Sequence, residues 1–562
     1  MRLPLLCVAL AIAAIAPAAA QAHPGVVETC ELTSGTDWHS GTWSCSHPPE
    51  AEDIAKLGSG DNVTVAADAV AQTLTLEGAT LWFADDTAAP DLAVGTMTAT
   101  SGSIEDPGTL SVAGAFQKSG SDSLFVRDSA VLQLHGTSTL DGGALCLSQA
   151  DPDTPFTTVL INASFTVNPG AAAVSLGCTG SLTNGNQFEV GPTGVLTIDH
   201  PATEMRALYR IFGSLVVPAG SSVFCNCSLA ALTGGTVTID GAIPCHPTIP
   251  PNFAIGYDAL LTGDGGETGC RVDVYGTFRA GPGGFEVAKN VTGLVPDAVI
   301  EVPAGRTLTA PLVDVFEGAV TGGGTIAADV NMRDGVVRPG SSPGTLTVAG
   351  DYTQAAAATL EAEVTPSGHD HLAVTGTAAL NGTLRALPSS GFDPAATDAF
   401  RVLTAGARSG TFSTFTGGTL ANGKSFSVDY PASPPGARLT VNVPPPPPTA
   451  EESLGAQSPS RIAGAFGLPG TRRCQSRRRF TIRLREPAGV DVASATITVA
   501  GKRSRARFVS GRWRAVVDLR GLPKGRFRVR IDVTTSTGRR LTGTRAYRTC
   551  ATKKRRGRVR EL

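Results

Sequence analysis

Side-chain catalysis needs acids, bases, nucleophiles or metal ligands brought together, and in this chain few such groups recur at telling intervals. Paired carboxylates flanking a sugar bond would be the arrangement for glycoside or lyase chemistry. The candidates are Asp85, Asp86, Asp258, Asp264, Glu267 and Asp273, and none repeats at a fixed interval. They read as turn acids, so no catalytic residue is expected. His369-Asp370-His371 and Cys225-Asn226-Cys227 each invite a metal reading, the second a redox reading as well. One chemical series does keep a strict beat: Arg479, Arg483, Arg485, Arg512, Arg514, Arg526, Arg528 and Arg530, at even offsets inside short alternating stretches. Period 2 places such residues on one side of a strand, so neighbouring strands would build a sheet of guanidinium groups. That surface suits an anionic polymer; a solvated face that balances an acidic body is the plainer alternative. It lacks interleaved aromatics for base stacking, so no specific nucleic acid is expected.

Charge is unevenly distributed behind those arginines. From residue 471 onward there are 28 Lys+Arg against 5 Asp+Glu, and before it 18 against 43. A net charge of −2 therefore hides an acidic body and a basic terminal module. Between them lies Pro444 to Pro448, five prolines that favour an extended spacer. The divisions expected are a signal peptide at 1–22, a cap at 23–60, a repetitive body at 61–443, a Pro-rich linker at 444–470 and the basic module at 471–562.

Met1-Arg2, the apolar run Leu3 to Pro17 and Ala20-Gln21-Ala22 have the layout of a secretory signal, so an extracellular or cell-surface location is expected. Cys7 follows Leu6 rather than a small residue and would leave with the signal. Ten cysteines remain, an even count that favours disulfides in an exported chain. Local spacing suggests Cys30 with Cys45, Cys146 with Cys178 and Cys474 with Cys550, while Cys225 and Cys227 would bond Cys245 and Cys270 in an open order. No later apolar run is long enough to cross a bilayer as a helix.

The body is rich in Gly (66 in the chain) and poor in aromatics (6%). Its phrases "GVLTID", "GSLVVPAG" and "GTVTIDG" begin at Gly194, Gly213 and Gly235. Alternation within each phrase and a period near twenty residues predict an all-β chain built as a right-handed parallel β-helix. About twenty coils at roughly 4.8 Å each would give a rod on the order of 90 Å. The echo of "DPGTLSVAGAFQ" (106–117) in "SSPGTLTVAGDYTQ" (341–354) fits such masonry. The Trp38- and Trp43-bearing segment between Cys30 and Cys45 is the expected cap for the first open edge.

Arg338 to Gly417 resembles the autotransporter-associated β-helix segment: it has the Pro-Gly-x-Ser-Pro-Gly-x-Leu opening, the Asp-x-Leu-x-Val-x-Gly-x-Ala middle and a Phe-x-Val-Leu-Thr-Ala close. The resemblance implies a passenger-like surface protein. In that family an aromatic-Asp-x-Leu turn fills the slot of His369-Asp370-His371, which argues against a metal there. The residues after Val443 are too few for the family's membrane barrel, so self-export is not expected. The basic module alternates as "RFTIRLR", "RWRAVVDL" and "RFRVRIDV". Phe480, Ile482, Leu484, Trp513, Ala515, Val517, Phe527, Val529 and Ile531 are its expected core; it resembles bacterial Ig-like β-sandwiches. The expectation is a structural or adhesion protein that attaches to an anionic envelope or extracellular polymer and needs no cofactor or metal. The alternative is a polysaccharide-degrading β-helix enzyme, a lyase or glycoside hydrolase.

Overall fold

A four-residue strand with the burial order half-buried, buried, half-buried, buried recurs throughout the body, from Ile54–Leu57 to Thr236–Ile239 and beyond. Inward Leu, Val and Ile stack on the same positions of the coil below, as in Leu196 on Leu215 on Val237 on Leu261. The computed structural model describes residues 26–84, 89–148, 155–178, 186–245, 252–340, 343–445, 448–471 and 477–550. It is 58% strand and 3% helix. The chain forms two compact units, 1–443 and 444–562.

The first unit is a parallel β-solenoid of about 15 turns with three strand columns per turn. About twenty were expected, so the length falls to about 70 Å at roughly 4.8 Å per turn. The difference comes from coils that carry loops. Val131 pairs with Thr158, Thr158 with Gln187 and Thr377 with Ala407, intervals well above those read from the central phrases. The echoed phrase is strand, corner, strand in both places: Leu110 and Val112 then Phe116, Leu346 and Val348 then Tyr352, all buried. Gly108 is forced by packing, because a Cβ there would lie 2.2 Å from the Phe83 ring.

Both ends of the solenoid turn antiparallel, which occupies strand edges that would otherwise template association. At the start, Thr29–Ser34 pairs antiparallel with Thr42–Trp43 and parallel with Ile54–Leu57. Trp38 and Trp43 are buried edge to face at 5.4 Å, and the Trp43 indole donates to the Trp38 carbonyl. At the far end, Gly436–Asn442 pairs antiparallel with both Ala399–Thr404 and Ser425–Asp429. Phe392, Phe400 and Phe426 pack edge to face beside them.

Cys30–Cys45 and Cys146–Cys178 are bonded as expected. The other four pair differently: Cys225 with Cys227, and Cys245 with Cys270. Cys225 ends the strand Val223–Cys225 and the chain turns at Asn226, so both neighbours face inward with Cα atoms 5.0 Å apart. Cys146–Cys178 and Cys245–Cys270 each staple successive coils. Cys550 is disulfide-bonded, whereas Cys474, Asp85, Asp86 and the expected signal at 1–22 lie outside the described residues.

The second unit is a β-sandwich. One antiparallel sheet runs Arg479–Leu484, Arg512–Asp518, Arg507–Val509; the other runs Lys502–Arg505, Val492–Val499, Arg526–Thr535, Arg540–Arg548. Ile482, Leu484, Ala515, Val517, Val529 and Ile531 are buried between them, with Phe480, Trp513 and Phe527 half-buried at the margins. The segment expected as a plain linker carries two short helices, Ala450–Gly455 and Pro459–Ala465. Thr449 and Glu452 form a reciprocal capping box, and Leu454, Ile462 and Ala463 complete the sandwich core.

Candidate functional site

Strand assignment decides where the arginine series goes. Arg479, Arg483, Arg485, Arg512 and Arg514 lie on the outer side of the three-stranded sheet, and Arg526, Arg528 and Arg530 on the outer side of the four-stranded sheet. The single guanidinium sheet expected from alternation is therefore two separate faces, because the strand Arg526–Thr535 pairs with Val492–Val499 and not with Arg512–Asp518.

On the first face the register is unfavourable by design or necessity. Arg514 stands directly opposite Arg483 on one side and Arg507 on the other, all three exposed. Like charges opposite one another in a sheet repel. Asp518 faces Arg479 on the same side, but the Arg520 guanidinium clamps it at 2.7 Å and holds its carboxyl well below the usual range. The ion pairs of this unit among the described residues are Arg520–Asp518, Arg530–Asp532 and Arg539–Glu452. None neutralises Arg483, Arg507, Arg512 or Arg514. On the second face Arg530 is paired with Asp532 at 2.8 Å, while Arg526 stands opposite Arg548.

The solenoid treats its surface arginines in the opposite way. Arg271 meets Asp273 at 2.7 Å, Arg279 meets Glu301 at 2.7 Å, Arg333 meets Asp314 at 2.8 Å, and Arg338 and Arg385 clasp Glu361 at 2.8 and 2.9 Å. Columns of in-register strands set a carboxylate one coil from a guanidinium, for instance Arg279 on Glu301 and Glu361 on Arg385. These five solenoid arginines are neutralised by carboxylates, whereas Arg483, Arg514 and Arg507 face one another.

Sequence reasoning missed Arg503, Arg505, Arg507 and Arg548, which extend the two faces. The signal was present in "KRSRARF", an even-offset series whose strand changes sheets at buried Ala506. A cleft of about 1270 Å³ also opens in this unit, floored by Phe480, Ile482, Val517 and Phe527 with Arg461 and Arg483 at its rim. No carboxylate among the described residues lines it.

The acids weighed for catalysis are dispersed. Asp273 is buried against Arg271. Asp264 accepts the Gly283 N–H, and Asp258 occupies a left-handed turn at φ 58°. Glu267 does stack in register on Glu286 of the next coil, a juxtaposition that sequence spacing did not reveal. Both side chains are exposed, and neither lines any of the clefts described for the molecule. His369-Asp370-His371 is spent on structure. Asp370 accepts the Gly344 and Glu363 N–H groups at 3.0 Å, His369 contacts the Arg401 carbonyl and His371 the Thr404 hydroxyl. Burial pushes the Asp370 carboxyl up and the His371 imidazole down. No helix among the described residues is long and apolar enough to cross a membrane. No family model and no curated protein matches this chain.

Proposed function

We propose that this chain is an exported extracellular or cell-surface adhesion protein, in which a β-solenoid stalk is joined to a basic sandwich that attaches to an anionic envelope or extracellular polymer. The observation that carries the reading is the row Arg483, Arg514, Arg507, three exposed guanidinium groups abreast with no carboxylate paired to them among the described residues. Mutual repulsion in the free protein is relieved when a row of phosphates, sulfates or carboxylates lies across it, so binding gains what folding gives up. Export is supported by the signal-like segment at 1–22 and by the disulfides of the solenoid. A passenger-like origin for 338–417 and an Ig-like sandwich belong to the same reading, the latter supported by two packed antiparallel sheets.

The test is retention of the full mature chain on purified cell envelopes and on immobilised acidic polysaccharide, at low and at about 1 M salt, where the Debye length falls to about 3 Å. The reading predicts salt-sensitive retention that is lost when Arg483, Arg507 and Arg514 are all changed to Gln. Retention indifferent to both changes would overturn it. Release of new reducing ends or unsaturated sugars would replace it with the polysaccharide-degrading alternative, for which the stacked Glu267 and Glu286 are the acids to change first.

A further inference from the structure

One corner of the solenoid carries a file of side chains whose chemistry changes along its length. Each strand of one column ends on an inward residue, and the residue after it turns outward while its N–H bonds to the coil below. The ladder passes through Phe212, Leu232, Gly256, Tyr275, Leu294, Phe316 and Arg333, whose N–H groups donate to Val190, Ile211, Ala231, Ile255, Val274, Gly293 and Val315. Earlier rungs are His135, Asn162 and Gly191. The apolar run is thus confined to successive coils in the middle of the rod. Beside Gly256, Tyr257 takes the outward place, 53% exposed, its ring 6.2 Å from Tyr275; Phe316 is 43% exposed. The whole file spans about 24 Å at roughly 4.8 Å per coil.

The two best-formed rungs repeat a local motif, Asp273-Val274-Tyr275 and Asp314-Val315-Phe316, two coils apart. In each, the carboxylate two residues before the ring is fixed by an arginine. Arg271 holds Asp273, while Arg333 bonds both oxygens of Asp314 at 2.8 and 3.1 Å and lays its guanidinium 4.5 Å from the Phe316 ring centre. Asn331 adds a third bond to Asp314 at 2.9 Å. Rings beside rigid carboxylate and guanidinium groups match the two chemistries of a sugar, an apolar C–H face and a rim of hydroxyls. The file is one residue wide, too narrow to bury the roughly 800 Å² per partner that a stable protein contact takes. Exposed Asp258, Asp297 and Glu317 flank it, so an anionic polymer or lipid would be repelled there.

We propose that the corner from Phe212 to Phe316 is a binding track for an uncharged linear polysaccharide, stacked on Tyr257, Tyr275 and Phe316 and hydrogen-bonded by the exposed guanidinium groups of Arg271 and Arg333, which buried Asp273 and Asp314 hold in place. It is distinct in place and in ligand charge from the basic sandwich. The experiment is co-sedimentation of the full mature chain with insoluble neutral glycans: cellulose, chitin, β-1,3-glucan, mannan and starch. The expected result is binding to at least one of them that survives about 1 M salt, since neutral stacking is not screened. Tyr275→Ala with Phe316→Ala should weaken it by at least about ten-fold, a loss of about 0.7 kcal/mol for each ring. Tyr257→Ala, at the most exposed position, gives an independent variant with little risk to the fold. Circular dichroism confirms that each variant is folded. The proposal is overturned if no neutral glycan binds, if binding is unchanged in both folded variants, or if the track variants instead abolish self-association seen by sedimentation. Loss of anionic attachment on changing the sandwich arginines, with neutral binding intact, would leave the two sites separable.

Discussion

Replacing Arg514 by Gln removes the middle of three guanidinium groups that stand abreast on the three-stranded sheet. Two like-charge cross-strand pairs, with Arg483 and with Arg507, disappear at once. Each such pair costs about 0.2–1 kcal/mol, so the variant should gain roughly 0.4–2 kcal/mol in low salt. For a unit of this size that is a rise of about 2–8 °C in the sandwich transition. Arg483→Gln relieves only one pair and should gain about half as much. Scanning calorimetry of the full chain at low salt and at about 1 M NaCl reads the effect, because screening removes the repulsion in the wild type and with it the advantage of the variant. A variant that is destabilised at low salt, or equally stabilised in both salts, would refute the electrostatic reasoning and point to packing instead. The same substitution should weaken attachment to an acidic polymer, so stability and binding are expected to move in opposite directions.

At the cap, the Pro48 carbonyl, together with Asp53, Glu50 and Glu28, holds the His47 imidazole above its ordinary value. A raised pKa in the folded state means that this stabilisation is fully present below about pH 6.5 and is lost as pH rises through the folded value. Thermal unfolding followed by Trp38 and Trp43 emission should therefore show a cap that weakens as pH rises through that value, and His47→Gln should flatten that dependence. Gly108→Ala would drive a methyl into the Phe83 ring and should cost about 1–3 kcal/mol in solenoid stability by denaturant unfolding. Gly170→Ala, with open space around the new Cβ, is the matched control and should be near neutral.

Much of the solenoid was legible because its physics is local. Alternation within a phrase and Gly at the corners, repeated at a coil's length, give the parallel columns, and Pro-Gly-Thr-Leu could be read as masonry without knowing which column it enters. The turn count was not legible, because loops such as the one between Val131 and Thr158 lengthen coils without altering the inward pattern. Nor was the antiparallel closure by Gly436–Asn442, since alternating residues look alike in either strand direction. The arginine beat survived as outward-facing residues, yet its division into two faces depends on which strands pair, a non-local fact. Cys225 and Cys227 were misread for a local reason: their spacing reads as two positions of one strand, whereas a corner at Asn226 brings them together. The two Asp-Val-aromatic rungs could have been found in the sequence, although their alignment needs the register of the intervening coil.

The salt dependence of attachment to an acidic polymer decides whether the unpaired arginine row is the attachment surface. Binding of the mature chain to such a polymer, measured across a salt series for wild type and for the Arg483, Arg507 and Arg514 triple Gln variant, should give a steep linear fall of log affinity with log salt. The slope should shrink by about one for each arginine that contacts a charge on the polymer. A flat salt response, or a triple variant with the affinity and slope of the wild type, would contradict the claim that the unpaired arginine row is the attachment surface.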